Sequence, residues 1–524
     1  MRKTSRALVL LSLCVIAVTL SNSNTVKATD ECLACHETYT PEIVDQWEQS
    51  KHSTVDVDCY TCHEASPDDP AGVSHSIGLV TPVVSPNACA TCHEAEVEEY
   101  SMSKHAWTAF IGPFKPWYKA MVEEDLDPLD MQTAIDNNPD DYIRDLVTPL
   151  FPDSGALENA GLLDDPEYNH ENQIAGCETC HGTFVIAEDG EILDGWPNSG
   201  VGRVNPDGSL GSCASCHTRH VFSVEEARKP ETCGQCHLGP DHPQMEIYEE
   251  SKHGNIYFSS GEAWNWESEE LGVEDINAPT CSVCHMSGFN GAVETTHNAG
   301  ARLYWEMQPE KSVPQWDSAE LVPLGQQSPD IEQAEAGRAE MKAVCGECHA
   351  SNWVEPYFES FDNTVSDYNK MYDYTLDLLN QAYEEELIDP SNPIDEVPEI
   401  EHYYIWHHSG RRWRMGAAMM APDWTHWNGA VDALLGDLNT MEDWIATARE
   451  TKVLEANMMD TEASLMTTEA QLQQAMSEIE ALSQASNNDV DEPNPTGNSL
   501  LIPSAILATG IVIAAILMNQ KNKL

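Results

Sequence analysis

Eight Cys-x-x-Cys-His pentads constrain this chain more than any other feature. They begin at Cys32, Cys59, Cys89, Cys177, Cys213, Cys233, Cys281 and Cys345, and use sixteen of the 17 cysteines; Cys14 is the other. With 17 Cys and 20 His in 524 residues, chance supplies about 0.02 such pentads. The spacing is that of c-type haem attachment: two thioether cysteines and one iron ligand. It predicts eight covalent haems, held by Cys32, Cys35, Cys59, Cys62, Cys89, Cys92, Cys177, Cys180, Cys213, Cys216, Cys233, Cys236, Cys281, Cys284, Cys345 and Cys348. The proximal ligands are then His36, His63, His93, His181, His217, His237, His285 and His349.

Porphyrin supplies a large apolar face and lessens the need for an aliphatic core. Between the pentads lie Pro, Gly, Asn and Asp clusters with short helical patches. The expected fold is mainly α and loop-rich, with little β, a long C-terminal helix and one transmembrane helix.

The chain ends read as follows. Residues 1–28 resemble a secretory signal, with Arg2, Lys3 and Arg6 ahead of an apolar stretch, and Val26-Lys27-Ala28 as a cleavage site. Residues 29–300 hold the first seven pentads, and 301–440 hold the eighth with a late Arg-rich block. Residues 441–485 form a helical stretch in which Met458, Leu465, Leu472 and Ile479 recur every seven residues. A coiled coil, as in a homotrimer or dimer, and packing on the chain's own body are equal alternatives there. A polar linker, 486–498, precedes a segment at 499–518 whose uncharged apolar run, Leu500 to Met518, at ~1.5 Å per residue reaches about 28 Å, enough for a bilayer core. Lys521 and Lys523 in the tail 519–524 place that end in the cytoplasm and the body outside it. The net charge of −62 excludes nucleic acid as a partner. Its even spread suits a solvated acidic surface better than steering of a basic electron carrier.

Twelve histidines remain: 52, 75, 105, 170, 220, 242, 253, 297, 402, 407, 408 and 426. A second imidazole closes an iron to substrate, so an enzyme must leave at least one open. His52, His105 and His253 end a repeated aromatic-x-x-Ser-Lys-His pattern, at Trp47, Tyr100 and Tyr248. With His75, His220, His297 and one of His407 or His408 (His408 is preferred), they give seven distal ligands for eight irons. Solvated or core histidines are the plain alternative for each.

The eight-pentad layout, Gly239-Pro240-Asp241-His242-Pro243-Gln244, Ser251-Lys252-His253-Gly254 and the block Trp406-His407-His408-x-Gly410-Arg411-Arg412 together resemble the hydroxylamine oxidoreductase family of octahaem cytochromes. The resemblance covers most of the mature body. It implies that the fourth haem, on Cys177, Cys180 and His181, is five-coordinate and catalytic. It also implies that Asp241 and His242 form its acid–base pair and Tyr357 a third pocket residue. A turn that caps the next helix is the alternative for Asp241-His242, and a packed aromatic for Tyr357. One departure stands out. Members that oxidise hydroxylamine carry a tyrosine, covalently bound to the catalytic porphyrin, directly after the Pro-Asp of the late block. Here Pro422-Asp423 is followed by Trp424, which cannot form a phenolic link. The resemblance therefore implies reduction of nitrite or nitric oxide toward hydroxylamine or ammonia. Hydroxylamine oxidation and a membrane-tethered electron conduit are the alternatives. Its electron partner would be a cytochrome c or a quinone-linked membrane protein.

Overall fold

A Cys-x-x-Cys-His pentad suits one helical turn, because positions i, i+3 and i+4 share a helix face. In a computed structural model of the chain the pentads take this form. The structure describes residues 28–110, 178–239, 243–302, 331–390, 396–488 and Gly510. The amides of His93, His217, His237 and His349 each donate to the carbonyl of the first cysteine of their pentad, at 2.8, 3.0, 2.9 and 2.9 Å. Short helices span Cys59–His63 and Cys281–His285, and the first pentad lies within Ala28–Tyr39. Asp58 and Thr61 close a reciprocal cap ahead of the second pentad. Pro86 and Pro230, at the first helical position, start the helices of the third and sixth.

Strand is confined, among the described residues, to two antiparallel hairpins, Val73–His75 with Gly78–Val80 and Ile186–Glu188 with Glu191–Asp194. The apolar core is divided into clusters set beside pentads. Tyr248, Tyr257, Trp266 and Leu271 pack with Val283 of the seventh pentad and Val344, next to Cys345. Met341, Val354 and Phe358 pack with Cys284 and Cys345.

The chain divides into two compact units, one of Met1–Lys370 with Gly410–Gly429, the other of Met371–Ser409 with Ala430–Leu524. All eight pentads fall in the first. The late block is thus split: Arg411, Arg412 and Trp424 go with the pentads, whereas His407 and His408 belong to the second unit. That unit contains the expected long C-terminal helix, Leu435–Asn488. On it Met458 and Leu465 are exposed, Leu472 and Ile479 half-buried and Ala475 buried.

The transmembrane helix expected of this fold is corrected. Among the described residues no helix is long and apolar enough to cross a membrane. The helices Ser351–Glu384 and Leu435–Asn488 are long enough to span, but both carry charges throughout their length, and a charge inside a bilayer is costly. The run 499–518, Gly510 excepted, lies outside the described residues, as do residues 1–27 of the expected signal, 489–498 of the linker and the tail 519–524.

In the second unit two neighbours titrate in opposite senses. The Glu401 carboxyl is pushed up to about 7, first by burial and then by Asp437. Burial holds His402 down at about 4, with its ring Nδ1 3.2 Å from the Thr375 hydroxyl. A carboxyl whose folded pKa is raised binds more protons folded than unfolded. Its cost is absent below the unfolded value of about 4.3 and complete above about 7. His402 contributes the reverse slope, destabilising as pH falls from about 6.5 to about 4. Glu401→Gln should therefore match the parent at pH 4 and exceed it at pH 8 by on the order of 1 kcal/mol, after allowance for partial exposure. Denaturant midpoints of the loaded protein at the two pH values check this; a less stable variant at pH 8 would contradict it.

Candidate haem-binding and active site

The repeated aromatic-x-x-Ser-Lys-His pattern builds a turn that ends one helix and aims a histidine from the next segment. Ser50 and Ser251 each return their amide and hydroxyl to the carbonyl of the aromatic three residues before, Trp47 and Tyr248. The amide of Ser103 does so to Tyr100 at 2.9 Å. All three serines are buried. The aromatics are fixed at their polar ends: Trp47 donates to the Val57 carbonyl at 3.1 Å, Tyr100 to Val201 at 2.6 Å and Tyr248 to Pro279 at 3.1 Å. Ser251 also caps the following helix through the Gly254 amide. His52, His105 and His253 come next, each carried by an anchored segment.

A metal–imidazole bond is ~2.0 Å and a ring nitrogen lies about 1.1 Å from its ring centre. Two imidazoles on opposite sides of one iron should thus have centres about 6.2 Å apart. Five pairs meet this figure. His36 faces His75 at 6.3 Å, His63 faces His220 at 6.3 Å and His93 faces His52 at 6.3 Å. His237 faces His105 at 6.0 Å and His349 faces His253 at 6.1 Å. Each joins a pentad histidine to one outside the pentads. His297 lies close enough to His217 to lower its pKa, after the larger effect of burial, and its own amide is held by Glu99 at 2.8 Å. His408 lies in the second unit.

The surroundings of the pentad rings also fit axial ligation. The Nδ1–H of His63 donates to the Thr81 carbonyl at 2.8 Å, and that of His181 to the Thr108 carbonyl at 3.2 Å. His36 Nδ1 meets the Thr40 hydroxyl at 2.8 Å. Such bonds fix the tautomer and leave Nε2 for the metal. Burial lowers the pKa of His105, His253 and His285, which favours the neutral, metal-binding form.

Sulfur contacts set the order of the pentads in space. Once haem is attached these sulfurs are thioethers, so their positions matter and their titration does not. Cys32 contacts Cys59, Cys89 contacts Cys213, Cys233 contacts Cys281 and Cys236 contacts Cys180. Cys62 lies near Cys89, Cys216 near Cys233 and Cys284 near Cys345. The pentads therefore run first, second, third, fifth, sixth, seventh, eighth, and the fourth branches from the sixth.

The fourth pentad is tightly held. Thr108 donates its hydroxyl to the His181 carbonyl at 2.7 Å. Gly182, directly after His181, has φ +78°, and a Cβ there would stand 2.4 Å from the Arg203 amide. Only glycine lets the two backbones approach so closely. Cys177, Asp241 and His242 lie outside the described residues. The chain resumes at Pro243, and the helix Gln244–Glu250 follows. At its far end the Glu250 carboxylate accepts from the Asp423 amide at 2.7 Å and the Trp424 amide at 3.4 Å. The segment bearing Trp424 is thereby tied to the helix that begins just after His242. Tyr357 donates its hydroxyl to the Ala418 carbonyl of the late block and packs beside Cys284 and Cys345. Burial, then Cys345, raises its pKa far above the ordinary phenol value.

Sequence reasoning missed Arg302. It is fully buried and donates to the carbonyls of Val283 at 3.2 Å, Cys284 at 3.4 Å and Ser287 at 3.0 Å, and to that of Glu294. It thus knots the seventh pentad, with Glu340 at 3.4 Å. No motif marks it.

A family model described as seven times multi-haem cytochrome CxxCH matches residues 206–392, and one for cytochrome c554 and c-prime matches 15–64. A solved structure described as a hypothetical multiheme protein superposes with TM-score 0.62 at 28% identity, covering 82% of this chain and 97% of that one. A probable nitrite reductase-hydroxylamine oxidoreductase fusion protein of Kuenenia stuttgartiensis is 26% identical over 378 residues, 69% of this chain. This chain is similar to hydroxylamine-oxidoreductase-like multihaem cytochromes c. The multihaem matches indicate covalently bound c-type haems. The match spans 38% of the length of that curated relative. A reducing HAO-like protein complex of the same organism shares the fold, with TM-score 0.54, 21% identity and coverage of 82% and 87%.

Proposed function

We propose that this hydroxylamine-oxidoreductase-like cytochrome binds eight haems and reduces nitrite or nitric oxide toward hydroxylamine or ammonia at one open iron, on the fourth pentad. The observation that carries the reading is the pairing of imidazoles about 6 Å apart at five pentad histidines other than His181. Paired ligands close an iron to substrate and suit it to passing electrons. The haem supplies electrons and a metal site for a small ligand; the protein sets access, protons and potential. His181 would hold the iron, its ring oriented by the Thr108 carbonyl. Asp241 and His242 would relay the protons that the reduction consumes, a carboxylate beside an imidazole being suited to this near neutral pH. Tyr357 would line the pocket with its phenol engaged by Ala418.

The reductive direction is favoured by Trp424 at the place where the oxidising members carry a cross-linking tyrosine. The name of one relative, a reducing HAO-like protein complex, agrees with that direction, whereas that of the nitrite reductase-hydroxylamine oxidoreductase fusion covers both. Haem attachment by thioethers supports a body outside the cytoplasm, where a cytochrome c or a quinone-linked donor would supply electrons. The test is a pair of steady-state assays on the loaded protein: nitrite with a low-potential donor, and hydroxylamine with an acceptor. Turnover is expected in the first. Turnover in the second alone would overturn the reductive reading.

A further inference from the structure

The axial pair of the eighth pentad differs from the others in what holds it. His349 faces His253 with ring centres 6.1 Å apart and planes at 48°. One helical turn onward, the Trp353 indole lies flat on the His349 imidazole, 4.2 Å between centres and 18° between planes. A further turn on, Tyr357 lies on Trp353 at 5.4 Å and 6°. The far end of this stack is fixed, because Tyr357 donates to the Ala418 carbonyl and Val354 and Phe358 are buried against Met341. Where His63 and His181 are oriented by a carbonyl at Nδ1, the hydrogen bonds found among the described residues include none to the His349 ring. A flat aromatic against its face does the same task, since the imidazole cannot turn about its metal bond without colliding with the indole.

We propose that Trp353 is a positioning residue for the eighth haem: it fixes the plane of His349, and so the angle between the two axial imidazoles. That angle governs how the iron d orbitals split, and orientation of a ligand by its second shell tunes the metal. The eighth pentad ends the spatial run, beyond the seventh through Cys284 and Cys345. Its haem is thus one terminus of the wire, where a change in electronic character alters exchange with a partner. The inference rests on His349 and His253 being iron ligands.

The experiment compares electron paramagnetic resonance spectra and potentiometric titrations of the full-length, haem-loaded protein with Trp353→Ala, Trp353→Leu and Trp353→Phe. Chain mass establishes that all haems are attached. Ala and Leu should each move the g values of one low-spin component, with a shift in one potential, and leave the other components in place. Phe, which retains a flat ring, should restore the parent spectrum. Spectra of Ala and Leu that superimpose on the parent would overturn the proposal. So would loss of the haem from both, since Trp353 would then serve folding alone. A His349→Met variant with an unchanged spectrum would instead remove the ligand assignment on which the inference stands.

Discussion

Replacing Arg302 by Met should destabilise the pentad-bearing unit by about 3–5 kcal/mol, the largest stability effect expected of a single side chain here. The guanidinium is fully buried and donates to the carbonyls of Val283, Cys284, Ser287 and Glu294. Methionine fills much of the volume but leaves these acceptors unpaired, and each buried unpaired group costs about 1–3 kcal/mol. The Glu340 partner is half-exposed, so water can solvate it and the loss of the ion pair adds little. Burial lowers the Arg302 pKa, with Glu340 opposing, yet the group stays charged at neutral pH because arginine starts so high. Arg302→Lys keeps the charge and gives up the fork, and should fall between the two. Denaturant midpoints followed by the haem absorption bands measure this. A Met variant within about 1 kcal/mol of the parent would show that the carbonyls find other partners.

The second large effect concerns rate. Asp241→Asn combined with His242→Gln should lower kcat by about 10²–10⁴-fold, the range supplied by general acid–base catalysis, while haem content and low-spin spectra stay unchanged. Both residues directly precede Pro243 and the helix Gln244–Glu250, whose last carboxylate holds the amides of Asp423 and Trp424. The helix that follows the pair is thereby joined, at Glu250, to the Asp423-Trp424 segment of the late block. If the pair is only a turn before a helix, the double variant will keep its rate and lose stability instead. Rapid mixing of the reduced protein with nitrite separates the two outcomes, since it reads the chemical step apart from folding.

Much of this architecture was legible in the sequence because haem attachment is local. A pentad needs one helical turn, and its histidine follows without tertiary information. The repeat at Trp47, Tyr100 and Tyr248 was legible for the same reason: a serine three residues after the aromatic closes the turn, and the histidine leads the next segment. What sequence could not supply was pairing. His220 faces His63 and His105 faces His237 across long stretches of chain, and nothing in the spacing specifies such contacts. Arg302 was invisible because its acceptors are backbone carbonyls, which leave no mark on composition. Trp353 was invisible for another reason: its stack on His349 appears only once the helix is built. The membrane helix was expected from apolar run length, a signal that measures hydropathy alone, and it is not among the described helices.

The central claim is that one iron is left open while the others hold two imidazoles. Binding of nitric oxide to the reduced, fully loaded protein, counted by electron paramagnetic resonance against total haem, tests it most directly. One nitrosyl haem per chain is the predicted result, with the high-spin signal of the oxidised protein lost on cyanide addition. No nitrosyl signal, with every haem low-spin, would contradict it and leave a cytochrome that only conducts electrons.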